Sequence, residues 1–534
     1  MSVTALRDVL LNALATLPGT REFHIHTLVS APHKHHDLFP YAHPRPKVYM
    51  QDVVVLLSEQ ASPSSPRVLV TAVELSVYNV PSTSCGILYI SKVDTTGQGA
   101  YPSPTAMLVK TLLTYYADPA TRPIHVDTLW LQLFARAQGQ YLFPGSAEYP
   151  GKKPLADVKL CAWWKKLFSE VAGEVEARCS GTKTRLFYVL PGFNELEALS
   201  NLHIPSSIPP KNNGVPVQWT YGHHYSQTDI PLPCPPPGKG HNLGHYIPSF
   251  DDDPKSRFMD EIAFITDAEG VKSPEQKRPK TGLHRTVSKD TNVLEEEDEK
   301  EKHKEEKHEK PQGELDRVTA DEFWERMSFR QECIAGAVTG FFSLGLASAP
   351  SPDSHATPSP LAPQPGQVAP RLVKRVLTSL MNGYDFSTAE LAAKSTETLE
   401  GAIRGLCDGL VAGAAEPAST SDVASRAPLL FRRDTTPEPR ATPAPATLEV
   451  PRTPKKPKGG KALPDVSPNP FPEPVASLET YEGHIYGSVS VRNPPLPPRA
   501  GAVAGHGSSG GGSVAPAQPV TVLTVRKKKR KHEP

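Results

Sequence analysis

The stretch Cys85–Asp118, CGILYISKVDTTGQGAYPSPTAMLVKTLLTYYAD, decides how this chain is organised. Its opening, Cys85–Asp94, is rich in β-branched and aromatic residues and reads as a strand. Its end carries Met107, Leu108, Thr111, Leu112 and Tyr115 at helical spacing, behind Ser103-Pro104 as N-cap and first-turn residue. The loop Asp94–Ser103 therefore runs from a strand end to a helix start, where free backbone N–H groups and the helix dipole favour an anion such as a pyrophosphate. Gly97-Gln98-Gly99 is too short for a Walker loop or a dinucleotide fingerprint, so a plain turn and an anion cradle both stay open.

Two more strand-like runs precede this unit, YMQDVVVLLSE from Tyr49 and RVLVTAVELSVYNV from Arg67, and the three together read as a meander behind a helix at about Thr4–Leu17. After it, a second long helix spans about Leu155–Glu176. Its core face is Val158, Cys161, Trp164, Phe168 and Val171, whereas Trp163 shares a side with Lys159, Lys166 and Glu170. An indole there either caps a ligand cleft or fills space under a long loop. A proline-rich, weakly structured stretch, Ile204–Pro237, leads to YIPSFDDDPKSRFMDEIAFI at Tyr246–Ile265. In it Asp253 reads as an N-cap, Pro254 as the first helical residue, and Phe258, Met259, Ile262 and Ile265 as the apolar stripe. Asp251 and Asp252 are left over; a solvated helix start, favoured by the macrodipole, is the plain account of them.

Hydrophobic residues concentrate before Asp267, with a smaller group between Val318 and Val411, so one large core with a late-joining segment fits better than three domains. The late segments DEFWERMSFRQECIAGAVTGFFSL and LVKRVLTSLMNGYDFSTAELAAKSTETLEGAIRGLCDGLV read as helices packing back on the body. The 58 prolines and 37 glycines cluster elsewhere, which assigns residues 1–413 to one domain with disordered inserts at 268–317 and 347–367, and 414–534 to a disordered tail. A net charge of +1 hides an acidic-then-mixed tract at Leu294–Lys310 and a basic run, RKKKRK, at Arg526–Lys531. Six scattered cysteines without a CxxC pair point to a reducing compartment and no structural zinc. His24 and His26 on one strand face, and HKHH at His33–His36, lack an acidic or cysteine partner at metal spacing and read as exposed. The absence of GxSxG, HExxH and a P-loop argues against the chemistries those motifs serve. Neither a signal-peptide pattern nor an apolar run of about 18 residues is present, so a soluble intracellular protein is expected.

Four motifs in order, YISKVDTTG, LFARAQGQYLFPGS, LCAWWKKLF and DDDPKSRFMDEIA, resemble the fungal histone H3 lysine acetyltransferase family known as regulator of Ty transposition. FWERMSFRQE and VLTSLMNGYDFSTAE resemble that family's C-terminal helices, so the likeness covers about Val3–Val411. It implies an α/β (α+β) fold, a mixed central sheet wrapped by helices, similar to the CREB-binding-protein acetyltransferase, with acetyl-CoA as cosubstrate and no metal. By the resemblance, Val93–Thr95, the stretch Pro102, Ser103, Pro104, Thr105 and Ala106, then Phe134, Gln138, Lys153, Pro154, Leu155 and Trp163 would contact the cofactor. Asp94, Tyr141, Trp164, Asp252 and Asp253 match positions near the reacting lysine, and Lys255 matches a buried lysine that the family acetylates on itself. Pro102 and Ala106 stand where the family has basic residues, so phosphate contact there would rest on backbone groups. Gln138 stands where a small residue is expected.

Acetyl transfer needs a neutral amine, and deprotonating a lysine of pKa near 10.4 at pH 7 costs roughly 4.6 kcal/mol. Adjacent carboxylates that repel one another are suited to take that proton. The family gives the role of base to the position of Asp253. Its N-cap position favours instead an orienting role, with Asp252 sharing proton acceptance through a water and the pair acting as one titrating unit. The resemblance further implies a nuclear protein that acetylates newly made histone H3, at a core-helix lysine and N-terminal tail lysines, in replication-coupled nucleosome assembly and genome stability. The H3–H4 substrate would be presented by an anti-silencing-function chaperone, engaged by the basic terminus, with a NAP-family chaperone as a further partner. Membrane and sequence-specific nucleic-acid partners are not expected. A catalytically inactive histone-chaperone adaptor on the same fold is the other reading, against which the joint presence of Asp94, Trp164, Asp252, Asp253 and Lys255 speaks.

Overall fold

A computed structural model describes residues 5–179, 181–202, 218–238, 241–264, 313–334, 337–348, 364–409 and 473–495. The chain divides into two units, Met1–Pro494 and Pro495–Pro534, of which the second lies almost wholly outside the described residues. The first unit is built on one mixed sheet. Strands β1 (Gly19–Ser30), β2 (His33–His35), β3 (Val48–Gln60), β4 (Val68–Val80) and β5 (Cys85–Thr95) form its first half. They are followed by β6 (Thr128–Ala135), β7 (Lys183–Val189), β8 (Trp219–Tyr221), β9 (Gly340–Ala347), β10 (Gln367–Val368) and β11 (Tyr486–Asn493). The order across the sheet is β10-β1-β3-β4-β5-β6-β9-β7-β8, with β11 on β1 and β2 on β3.

The meander expected from Tyr49, Arg67 and Cys85 is present, β3 to β4 to β5, each pair antiparallel. The unbroken apolar run Val53–Leu57 follows from burial on both faces: Val53, Val55 and Leu57 enter one core cluster, Val54 and Leu56 another. Helices α1 (Leu6–Leu14), α2 (Thr105–Ala117) and α3 (Asp157–Arg178) cover the first face. A short helix α4 (Glu195–Asn201) follows β7. On the second face, α5 (Pro254–Phe264), α6 (Ala320–Met327) and the single turn α7 (Gln331–Ile334) pack under a long loop, while α8 (Pro370–Gly383) and α9 (Ala389–Gly409) cover β1, β3 and β4. No helix among the described residues is long and apolar enough to cross a membrane.

Several expectations need correction. GFFSL, read as the end of a late helix, instead opens β9, an interior strand that pairs antiparallel with both β6 and β7. Its Phe342, Leu344 and Leu346 join the main core while Phe341, between Gly340 and Phe342, is buried too, and a run so nearly apolar throughout fits a helix as well as a strand. The tail assignment fails at β11, which pairs with β1 from Gly19↔Asn493 to His26↔Tyr486. That strand changes the histidines too: His24 and His26 are buried beneath Tyr486 and Tyr481 instead of exposed. Both inserts are narrower than expected, since Leu315 is fully buried and Gln367 is buried in β10. The weakly structured stretch contributes β8. The rest of both inserts and the basic run Arg526–Lys531 lie outside the described residues.

Candidate active site

β5 and β6 run parallel and pair only from Cys85↔Thr128 to Ile90↔Leu133. At that point the register of β4 against β5 shifts, so that Ser91 is the extra residue of a bulge between Ile90 and Lys92. A bulge bends its strand and adds twist. β5 continues to Thr95 on β4 alone and β6 to Ala135 on β9 alone, and the gap between them is the floor of a cleft of about 400 Å³. α2 begins beside this gap at Thr105, one residue later than expected. Pro104 takes the cap position with helical φ −74° and offers no capping side chain; Ser103 Oγ accepts from the first helical N–H, that of Thr105, at a long 3.4 Å.

The cleft gathers most of the residues singled out from the sequence. Val93, Asp94 and Thr95 come from β5; Ser103, Thr105 and Ala106 from the start of α2; Phe134, Gln138 and Tyr141 from β6 and its following loop; Lys153, Pro154 and Leu155 from the segment before α3. Trp163 and Trp164 both reach it from α3, their rings edge-on at 4.6 Å; Trp164 is buried and also part of the core, Trp163 half-buried. Pro102 and Pro104 stand off its walls; the Pro102 carbonyl instead accepts from Arg21 at 2.9 Å.

Asp94 is fully engaged. One oxygen accepts from the backbone N–H groups of Tyr141, Leu142 and Phe143 at 2.7, 2.8 and 3.2 Å, and the other from Thr95 N–H at 2.8 Å and Lys152 Nζ at 2.9 Å. Lys152 was not anticipated. Its side chain is as buried as that of Asp94, and it also donates to Ser146 Oγ at 2.8 Å. Gly97 adopts φ +79° with its missing Cβ only 2.5 Å from Lys152 Cα, so the first glycine of the loop serves close backbone packing. Burial pushes the Tyr141 phenol up to about 12, with Arg136 opposing and Asp94 adding, and its hydroxyl donates to the Arg136 carbonyl.

The three aspartates separate. Asp253 is buried, accepts from Lys255 N–H at 2.8 Å through Oδ1 as the cap of α5, and faces Lys255 Nζ at 3.1 Å through Oδ2. Lys255 Nζ lies over Phe250 and Phe341, and Phe341 stacks at 4.7 Å on Phe134 of the cleft wall. Burial raises Tyr89 well above the usual phenol value, with the Asp253 carboxylate adding to it. Asp252 is exposed and adopts φ +60°, a left-handed conformation that aspartate tolerates better than most residues. It reaches Lys92 Nζ at 3.3 Å, and Lys92 both lines the cleft and pairs with Glu74 at 3.0 Å. Burial alone would lower the Lys92 ammonium, but Glu74 and Asp252 outweigh it and raise it. Asp252 thus stands at the edge of the cleft, while Asp253 and Lys255 lie behind its wall.

Among the described residues no group of three or more His, Cys, Asp or Glu side chains is arranged to hold a metal ion. Arg136 and Lys153 line the cleft without an ion pair among the described residues, a charge pattern suited to an anionic ligand.

A profile of the histone acetyltransferase KAT11-type domain matches residues 119–401, more than half of the chain. The histone acetyltransferase rtt109 of Aspergillus flavus is 27% identical over 307 residues, 52% of this chain and 45% of that protein. Its namesake in Schizosaccharomyces pombe is 24% identical over 270 residues, 49% of this chain and 52% of that protein. The chain spans about half the length of the curated relatives it matches. The crystal structure of Rtt109 from Aspergillus fumigatus superposes with a TM-score of 0.53 at 23% identity, over 74% of this chain and 96% of that one, which bears out the mixed sheet surrounded by helices. The chain belongs to the family of histone acetyltransferase KAT11-type domains.

Proposed function

We propose that this chain transfers an acetyl group from acetyl-CoA to lysines of newly made histone H3, presented with H4 by chaperones in the nucleus. The observation that carries this reading is the cleft opened where the parallel strands β5 and β6 part, with Arg136 and Lys153 on its walls and unpaired among the described residues. Its residues fit the cofactor: strand-end backbone groups suit an amide-bearing pantetheine arm, and the start of α2, lined by Ser103 and Thr105, with the two cations suits a pyrophosphate. Acetyl-CoA, when bound, supplies the thioester carbonyl that an amine attacks. Trp163 and Trp164 keep water from that end of the cleft. Tyr141, a neutral phenol at working pH, and Asp94 shape the wall opposite, Asp94 by holding the loop through its hydrogen bonds.

The proton of the incoming ammonium goes toward the aspartate pair. Asp252, exposed at the cleft edge and tied to Lys92, is the group a basic substrate meets first; Asp253, buried on Lys255, fixes the start of α5. Lys255 is the candidate for self-acetylation. Engagement of chaperone-held H3–H4 is assigned to the basic end of the chain.

Replacing Asp252→Asn together with Asp253→Asn is expected to reduce acetylation of H3–H4 by at least about 100-fold, the usual range for a general base, with acetyl-CoA still bound. Mass spectrometry of H3 and calorimetry of the cofactor read the two parts. Near-wild-type turnover in the folded double variant would overturn the assignment.

A further inference from the structure

The loop that delivers α2 to the cleft is held by a buried ion pair far from it in sequence. Arg21 of β1 and Glu59 of β3 meet at 3.2 Å, and both side chains are almost completely buried. Arg21 Nη1 also donates to the Ala100 carbonyl at 3.1 Å and Nη2 to the Pro102 carbonyl at 2.9 Å. Glu59 accepts from Ala100 N–H at 3.3 Å, and its carboxylate oxygen would lie 3.3 Å from a Cβ at Gly99. One guanidinium and one carboxylate therefore satisfy both polar groups of Ala100 and the carbonyl of Pro102, as a neighbouring strand would. The second glycine of the loop is where Glu59 comes close. The next anchor follows at once: Thr105 Oγ1 bonds Thr71 Oγ1 at 2.8 Å, and Ser103 and Thr105 line the cleft. Val491 of β11 is the cross-strand partner of Arg21 and is itself buried, so the late strand keeps the pair dry.

We propose that Arg21 and Glu59 are positioning residues for the cofactor: they clamp residues 99–102 so that the start of α2 is preorganised for the anionic end of the ligand. This rests on the acetyl-CoA reading above. A planar fork that bonds two carbonyls at once is a task for arginine; a lysine at the same place offers a point charge without that geometry. A preorganised loop contributes to affinity by removing the ordering cost of binding, and leaves the reaction of bound substrates alone.

The test uses the full chain with Arg21→Lys and, as the milder change, Glu59→Gln, which keeps an acceptor for Ala100 N–H. Expected for Arg21→Lys are faster amide hydrogen exchange across residues 97–106 without ligand, a Kd and KM for acetyl-CoA raised about tenfold (1.4 kcal/mol), and a saturating kcat within twofold of wild type. Glu59→Gln should shift the same quantities less. A purely structural role would lower kcat through loss of folded enzyme and leave Kd unchanged, and that result overturns the proposal, as does wild-type exchange in the loop of both folded variants. If the wild-type chain itself does not bind acetyl-CoA, the functional reading falls and with it the ligand. Hydrogen exchange still reports separately on whether the clamp orders the loop.

Discussion

At the scale of single residues, the pair Asp94–Lys152 shows how one carboxylate can look catalytic in sequence and act as a strut in structure. Four backbone N–H groups and one ammonium converge on it, which leaves no lone pair conveniently free to accept a further proton. Removing one partner of a buried pair costs about 3–5 kcal/mol, because the other charge is left in a poorly solvated place. Lys152→Met leaves Asp94 charged but still bonded by four N–H groups, so its loss should fall at the low end of that range. Asp94→Asn turns one acceptor into a donor facing N–H groups and isolates Lys152, and should fall at the high end or beyond it. Urea denaturation of both variants checks the order; Lys152→Met proving the less stable would mean that the ammonium, not the backbone bonds, dominates. Most of the residues on the cleft were legible in the sequence through its resemblance to the family, both tryptophans among them. Lys152 was not, because adjacent lysines normally read as solvated and nothing local marks one of them as buried.

At the scale of elements, β11 explains two histidines that have no role in sequence terms. Tyr486 of β11 and Tyr481 of the turn before it bring hydroxyls to 2.9 Å from His24 and His26; the Tyr486 ring stacks on His24, and both tyrosine rings lie tilted against His26. Burial, with Arg67 adding, pulls His24 down to about 4 and His26 to about 3. These groups bind a proton more readily in the unfolded chain, so the unfolded state carries more protons below about pH 6.5 and stability is lost as pH falls from there toward about 3. The His24→Asn, His26→Asn double variant should show a flatter decline of stability with pH across that window, measured by denaturation at a series of pH values. An unchanged slope would show that these histidines are solvated and that β11 does not cover them. A strand bulge acts at the same scale: Ser91 parts β5 from β6, and its effect cannot be read from a serine in a strand-like run.

At the scale of the whole molecule, the sheet is closed by segments from late in the chain. β9 sits between β6 and β7, and β11 and β10 line the outer edge of β1, so contacts of very long sequence separation complete both an interior position and one margin. Such topologies fold slowly, since loop-closure entropy is spent before the pairing returns it. Two truncations should therefore differ in kind. A chain ending at residue 336 lacks β9 and should show no cooperative unfolding; one ending at residue 409 keeps the sheet interior and should unfold cooperatively at lower stability. Loss of buried Ile485 and Val491 alone removes about 1.5–3 kcal/mol each. Cooperative unfolding of the shorter chain in near-ultraviolet circular dichroism would contradict this account. By itself the sequence determined what local pattern can encode: the β3–β4–β5 meander, the strand, loop and helix that frame the cleft, the helix of Trp163 and Trp164, and the N-cap at Asp253. Only the tertiary structure decided that GFFSLGLA is a strand, that residues 486–493 return to the sheet, and which carboxylates are struts and which is exposed at the cleft edge. The reason is physical: an eight-residue apolar run satisfies both periods, and its state is settled by the free strand edges it meets, which belong to residues hundreds of positions away.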